Sequence, residues 1–348
     1  MSSGSNWFAI RKELTPSQST FLTGLSFLLP VLLWCAVSYV PWIWHPMVEI
    51  QNKGDVSYFR EGRLVKKDVF QRENNKMLEA GKTLALGKPA NPIYLPPPHQ
   101  VAKAMYTGFT TKPRRKGEPW LHESLLHSAK IIFWGFTLSS LIGVPLGILA
   151  GCYSFFKKLF EPFIEFFRYL PAPAFGALAV AILGIYDAPK VSIIFIGTFF
   201  QQVLVISNTT SKLEVSLIEA AQTLGANRIQ MLTRVVIPGI LPNLYKDLRI
   251  LLGWAWTYLI VAEIVGTSTG ITWFINQQAK YRIYENVYAA IFMIGFIGLA
   301  TDLILGWIGD RLFPWENARK GTQEGVLSRM FSSITKYLRS LTSKTASS

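Results

Sequence analysis

Long apolar runs separated by short polar ones constrain this chain more than any single motif does. Residues 21–44, 126–152, 191–206, 250–265 and 288–308 are almost uncharged, and most are long enough, at ~1.5 Å per helical residue, to approach the ~30 Å of a bilayer core. A sixth apolar stretch, ending near Tyr186, is interrupted by Pro162, Pro171 and Pro173, and broken helices at membrane depth are tolerated only inside protein or along a cavity. Half of the 348 residues are apolar while the formal net charge is +14, a mixture that suits a membrane protein with basic loops rather than a soluble core. The expected fold is all-α, with about six transmembrane helices. Run 21–44 is too long for a signal peptide and ends in Trp42 and Trp44, so it reads as a first transmembrane helix kinked at Pro30.

The expected division is a cytoplasmic segment 1–20, a first helix 21–44, a charged extracytoplasmic insert 45–97, a core 98–315 with five further helices, and a basic amphipathic tail 316–348. The insert interleaves acids with bases and shows little periodicity, which points to a solvated connector and not to nucleic-acid binding. The tail carries Leu327, Phe331, Ile334 and Leu338 on one stripe with Arg329, Lys336 and Arg339, a pattern for lying on an anionic leaflet. Gly143, Gly147 and Gly151 recur at every fourth position with Ser139 in register, a small-residue stripe that lets a second helix approach closely. Six crossings place both termini on one face. If that face is cytoplasmic it receives Lys157, Lys158, Arg168, Lys212, Arg228, Arg234, Lys246 and Arg249, in keeping with the positive-inside rule.

Between the fourth and fifth runs lies a polar helical hairpin, 211–238. Ser211 and Glu214 have capping-box spacing, and Leu213, Leu217, Ala221 and Leu224 fall on one stripe. Gly225 stands where a helix should close with a positive φ, and Asn227 can cap a second short helix, which Ile229, Leu232 and Val236 make amphipathic and Pro238 ends. The spacing Glu219-Ala220-Ala221, Gly225, Pro238 resembles the EAA loop of permease subunits of bacterial ABC importers. LPPPHQV, HSAKIIFWGF, YLPAPAFGA, LGIYDAPK, WTYLIVAEIVGTSTGITWFI and LILGWIGDRLFPW, in that order from about residue 95 to 315, are similar to the permeases for nitrate, taurine, alkanesulfonates and related solutes.

That resemblance implies a type I (MetI-like) importer fold in a bacterial inner membrane, with the hairpin as a cytoplasmic coupling helix loop. It further implies a homodimer or paired permease subunit, two cytoplasmic ABC ATPase subunits, a periplasmic or extracellular solute-binding protein, and a small oxyanion such as nitrate, taurine, a sulfonate or bicarbonate as solute. Glu219, Ala220, Ala221, Gly225 and Pro238 are then the coupling residues. No catalytic chemistry of its own is expected: the chain has no GxxxxGK[ST] loop, so ATP and Mg²⁺ belong to the partners. Nucleic acid is not an expected partner. Glu263 is the sharpest pathway or gate candidate, because an acid inside a span is costly in lipid; a hydrogen-bonded structural acid is the competing reading. Gln201, Gln202, Trp254, Trp256 and Asp302 carry the same two readings, and Pro171 and Pro173 more readily shape the third span than touch solute. His122 and His127 have no partners at a metal-ligand spacing. Two other classes stay open. A secondary transporter would show matched, broken intramembrane repeats, and a membrane enzyme would show a cluster of polar side chains at the interface. An importer permease for an unrelated small organic solute is the remaining alternative.

Overall fold

The computed structural model describes residues 16–113, 119–265 and 269–316. Nearly all of the tail 316–348, most of the segment 1–20 and most of the basic loop after Lys112 lie outside the described residues. The described residues divide into two compact units, one reaching to Ala104 together with Arg282–Glu285, the other comprising Met105–Tyr281 and residues 286–316.

In the first unit, α1 (Pro16–Tyr39) starts and stops about five residues earlier than the expected 21–44. Pro41 explains the early end, because the residue before a proline is pushed out of the helical region. Trp42, 85% exposed, therefore follows the helix instead of ending it. The insert is not a connector. Strands β1 (Met47–Asn52), β2 (Leu64–Lys66) and β3 (Leu86–Ala90) form an antiparallel sheet in the order β2-β1-β3, accompanied by α2 (Lys67–Glu79). Ile50, Val56, Phe59 and Ala85 are buried as a small core with Val65, Phe70 and Met77 against them. Asp55 accepts from the Thr83 hydroxyl at 2.7 Å and from its amide at 2.8 Å, bonds that hold the carboxyl below its usual range. Trp34 Nε1 donates to Pro96 O at 3.2 Å and Asn91 Nδ2 to Ser38 O at 2.9 Å, so the far end of the insert is tied to the end of α1.

After α3 (Pro98–Thr110), the second unit is built on α4 (Leu121–Cys152) and α7 (Asp187–Ser211). The glycine stripe of α4 faces α7. Cβ atoms added at Gly135, Gly147 and Gly151 would strike Ile194, Ile206 and Thr210 within 2.5–2.7 Å, while one at Gly143 would meet Gln202 at 3.1 Å. The partners advance in the same direction along both helices, which therefore run parallel. At the starting end His127 Nε2 meets Asp187 Oδ1 at 3.0 Å.

Two consecutive long helices can be parallel only if the chain between them crosses back. The crossing is made by α5 (Ser154–Arg168), a 3₁₀ turn at Ala172–Phe175 and α6 (Gly176–Leu183), bent by 86° at a break that holds Pro171, with Pro173 in the 3₁₀ turn just beyond it. The third span is thus a broken one, and neither half reaches across alone: α6 is only about 12 Å long at ~1.5 Å per residue. Counted as one span, it raises the helices long and apolar enough to cross a membrane from five to six among the described residues.

Beyond α7 come α8 (Val215–Thr223), a short α9 (Arg228–Gln230), α10 (Ile237–Val265), α11 (Ile271–Lys280) and α12 (Tyr284–Leu312). Leu125, Ile132, Ile193, Ile194, Leu259 and Ile271 join in one core toward the Leu121 end of α4, and Ile148, Ile206, Val236, Ile240 and Leu244 in another toward its Cys152 end. Helix α12 runs antiparallel to α10. The Arg249 guanidinium forks onto Asp302 with bonds of 2.5 and 2.8 Å, and the Tyr245 hydroxyl donates to Leu305 O at 2.7 Å.

A methyl group added to the α4 stripe should be costly. Gly147→Ala is expected to destabilise by about 1–3 kcal/mol through overpacking against Ile206 and the Val203 carbonyl. Gly298→Ala on α12, where a Cβ meets nothing within 4 Å, should be neutral. Unfolding by denaturing detergent, followed by circular dichroism, compares the two; equal effects would contradict the parallel packing.

Candidate coupling hairpin and gate region

The hairpin is closed by local backbone chemistry. At the end of α8 the Gly225 amide donates to Gln222 O at 2.9 Å and the Ala226 amide to Ala221 O at 3.0 Å, the paired bonds of a Schellman stop, with Gly225 at φ +79°. Asn227 then starts α9: its Oδ1 accepts from the Gln230 amide at 2.9 Å, and Gln230 Oε1 accepts from the Asn227 amide at 3.0 Å. The expected Ser211–Glu214 cap is absent. Ser211 Oγ donates back to Ser207 O at 2.6 Å, as a hydroxyl in the last turn of α7, and Glu214 precedes α8 with no side-chain cap bond.

Apolar residues leave the hairpin on two sides, not on the single stripe expected. Leu213, Met231 and Leu232 pack inward on Ile148, Ile206 and Val236. Leu217, Leu224 and Ile229 point away from the bundle at 47%, 88% and 74% exposure, with Glu219 and Ala220 exposed beside them. These three side chains stand exposed together on an otherwise polar loop.

Pro238 does not end the second helix, which corrects the sequence reading. From Arg228 the chain is helical without interruption to Val265, over 38 residues. A π-helical turn at Met231–Val236 absorbs the fault: widening the turn just before the proline accommodates its missing amide and its ring. The hairpin's second arm is thus the beginning of α10 itself.

At the other end of α10, Glu263 is buried to 3% exposure and turned toward the start of α11. Its carboxylate accepts from the Thr272 amide at 2.7 Å and from the Ser128 hydroxyl, whose oxygen in turn accepts the Ile271 amide at 2.9 Å. Two of the first amides of α11 are thereby satisfied by side chains from α4 and α10. Gly270, at φ +101°, leaves no space for a Cβ beside that carboxylate. Next to it, Lys190 is fully buried, donating to Thr269 Oγ1 at 2.7 Å and to Asp187 Oδ1 at 3.1 Å, the same oxygen that meets His127. Glu263 was visible in the sequence as an acid in a span; Lys190, Ser128 and the caps they form were missed. The one local trace was an Asp187–Lys190 pair three residues apart at the start of an apolar run.

The model for the binding-protein-dependent transport system inner membrane component family matches residues 143–315. The taurine transport system permease protein of Escherichia coli is 30% identical over 233 residues, covering 67% of this chain and 84% of that protein. This chain belongs to that family of ABC importer permeases. The bicarbonate transport system permease protein of a Synechocystis strain is 25% identical over 230 residues, covering 64% of this chain and 81% of that protein. A solved methionine ABC transporter is matched with a TM-score of 0.48 at 19% identity, over 55% of this chain and 94% of that one.

Within the permease the remaining pathway candidates separate. Gln202, not Gln201, is buried: its Oε1 accepts from Ser139 Oγ at 2.7 Å and its amide donates to Ser140 at 3.0 Å, a clamp between α7 and α4. Gln201 is half-buried and Trp256 packs on the core of the Leu121 end, while Trp254 is exposed. Pro171 is exposed and Pro173 half-buried at the break in the third span. Asp302 is held by Arg249.

Glu263→Leu should leave the Thr272 amide and the Ser128 hydroxyl without an acceptor, at about 1–3 kcal/mol for each buried group, and Glu263→Gln should lose less. Thermal melting of the purified permease orders the two. A neutral Glu263→Leu would mean that the cap carries no stability.

Proposed function

We propose that this permease forms the membrane pathway for a small oxyanion of the sulfonate or bicarbonate type. The observation that carries the coupling part of this reading is the hairpin's construction: an exposed apolar tip, closed at Gly225, on a helix that continues unbroken into α10. The solute class is supported by the relatives named for taurine and bicarbonate transport, both small anion-bearing solutes.

In this reading Leu217, Glu219, Ala220, Leu224 and Ile229 insert into a cleft on an ATPase subunit, Ala221 and Gly225 shape the turn, and Pro238 sits where the π turn hands over to α10. Two ATPase subunits bind and hydrolyse ATP with Mg²⁺, two permease subunits pair to enclose the path, and a solute-binding protein delivers the solute. The permease itself performs no catalysis. ATP-driven approach of the ATPase pair draws the hairpins together and tilts α10, opening the path by rigid-body motion. The hairpin face is cytoplasmic, supported by Lys157, Lys158, Arg168, Lys212, Arg228 and Arg234 on that side. The insert then lies outside, and both termini inside. Glu263 and Lys190 act as positioning residues that hold α11 and the start of α7 at the outer end of the path.

Gly225→Val should strain the left-handed turn and misdirect α9, lowering transport and solute-stimulated ATP hydrolysis by tenfold or more while the protein still inserts; Glu219→Gln should cost less than about 1 kcal/mol in docking, as exposed ion pairs do. Uptake and hydrolysis by the full complex in liposomes measure both, and wild-type coupling in Gly225→Val would overturn the role given to the hairpin. A cysteine at Lys76, in a chain lacking Cys35 and Cys152, should react with an impermeant maleimide from outside intact cells. Reaction only after lysis would reverse the orientation.

A further inference from the structure

Between the inward side of the hairpin and the ends of α4 and α7 lies a half-open cavity of about 360 Å³. It is on the opposite side of α8 from the exposed tip residues Leu217 and Leu224. Its apolar wall is made by Leu213, Ile218, Met231 and Leu232. Its polar wall contains Thr210, Gln222 and Arg228, and no lining residue carries a carboxylate. Two of these groups are unspent. Thr210 is 4% exposed and its hydroxyl has no hydrogen-bond partner among the described residues, a state that costs free energy unless something enters to bond it. Arg228 is exposed and makes no ion pair with any described residue.

An apolar enclosure of this size with a few polar groups, one of them a cation without a counter-charge, is the usual form of a small-molecule site. The guanidinium selects a planar or tetrahedral oxyanion, and the aliphatic wall selects a short hydrocarbon body behind it. We propose that this cavity is a binding site for a small organic anion, an alkyl sulfonate or carboxylate, held by Arg228 at its head and by the Leu213–Ile218–Leu232 wall along its chain. Sulfate lacks the body and an alcohol lacks the charge, so neither fills both requirements. The site lies across α8 from the exposed residues Leu217 and Leu224, and the proposal does not depend on which solute the permease carries.

Cys152 also lines the cavity and reports on its occupancy. The full-length permease with Cys35→Ser leaves Cys152 as its one thiol, and the rate of its alkylation by N-ethylmaleimide is measured with butane-1-sulfonate, sulfate or butan-1-ol present. Butane-1-sulfonate should slow the reaction about tenfold at nine times its dissociation constant, with sulfate and butan-1-ol far weaker at equal concentration. Arg228→Gln should weaken that protection about tenfold, the loss of one charge-assisted hydrogen bond, and Thr210→Val should weaken it less. Equilibrium dialysis of radiolabelled butane-1-sulfonate against wild type and Arg228→Gln gives the same comparison without the thiol. Equal protection by all three probes, no retention on dialysis, or binding unchanged in Arg228→Gln would each overturn the proposal.

Discussion

The close parallel contact of α4 with α7 is the constraint on which the rest of the membrane unit depends. Gly135, Gly143, Gly147 and Gly151 bring the helices to backbone distance, and Ser139 and Ser140 lock their register through Gln202. In lipid there is no hydrophobic drive to bring helices together, so packing of small residues and interhelical hydrogen bonds must do it. Parallel neighbours then force the chain to return between them, and the return is the bent third span with its prolines at the break. The same contact places His127 beside Asp187 at one end and Gly151 beside Thr210 at the other, so it sets the positions of both the polar cluster and the hairpin.

From that scaffold α10 carries position from one end of the bundle to the other. Its first turns belong to the hairpin, its middle is tied to α12 by Arg249 and Asp302, and its last turn holds Glu263 against the start of α11. Thr209 of α7 donates to Asp247 between these points. A helix anchored at several heights by charge-assisted bonds transmits displacement as a body, whereas a flexible loop would dissipate it. The π turn before Pro238 matters because a break there would separate the hairpin from the span.

The hairpin's turn chemistry was legible because it is local: a glycine at the helix stop and an asparagine at the next helix start have few other uses, although Gln230, which completes that cap, was not singled out. Pro238 was misread for the same reason, since its neighbours give no sign that a π turn will absorb it. Periodicity located the apolar residues of the hairpin but not their destinations; Leu217, Leu224 and Ile229 look like core residues until the bundle shows that the inward positions are already taken by Leu213, Met231 and Leu232. The fold of the insert was hidden because, of its buried core residues, only Ile50 lies on a strand, while Val56, Phe59 and Ala85 sit singly in the turns and loops between short strands. Beyond the local Asp187–Lys190 pair, Lys190 reaches Thr269, 79 residues away, and Ser128 reaches Glu263, 135 residues away, and no local pattern records such contacts.

The coupling proposed for the hairpin requires that it and α10 move as one body when ATP is bound. Spin labels at Leu224 and Ile264 of one subunit, in a background without Cys35 and Cys152, report the distance along that body, and labels at Leu224 in both subunits report the distance between hairpins. In the reconstituted complex, trapping ATP on the ATPase subunits should shorten the distance between hairpins and leave the distance within the subunit unchanged. A change within the subunit as large as that between the hairpins would contradict the account.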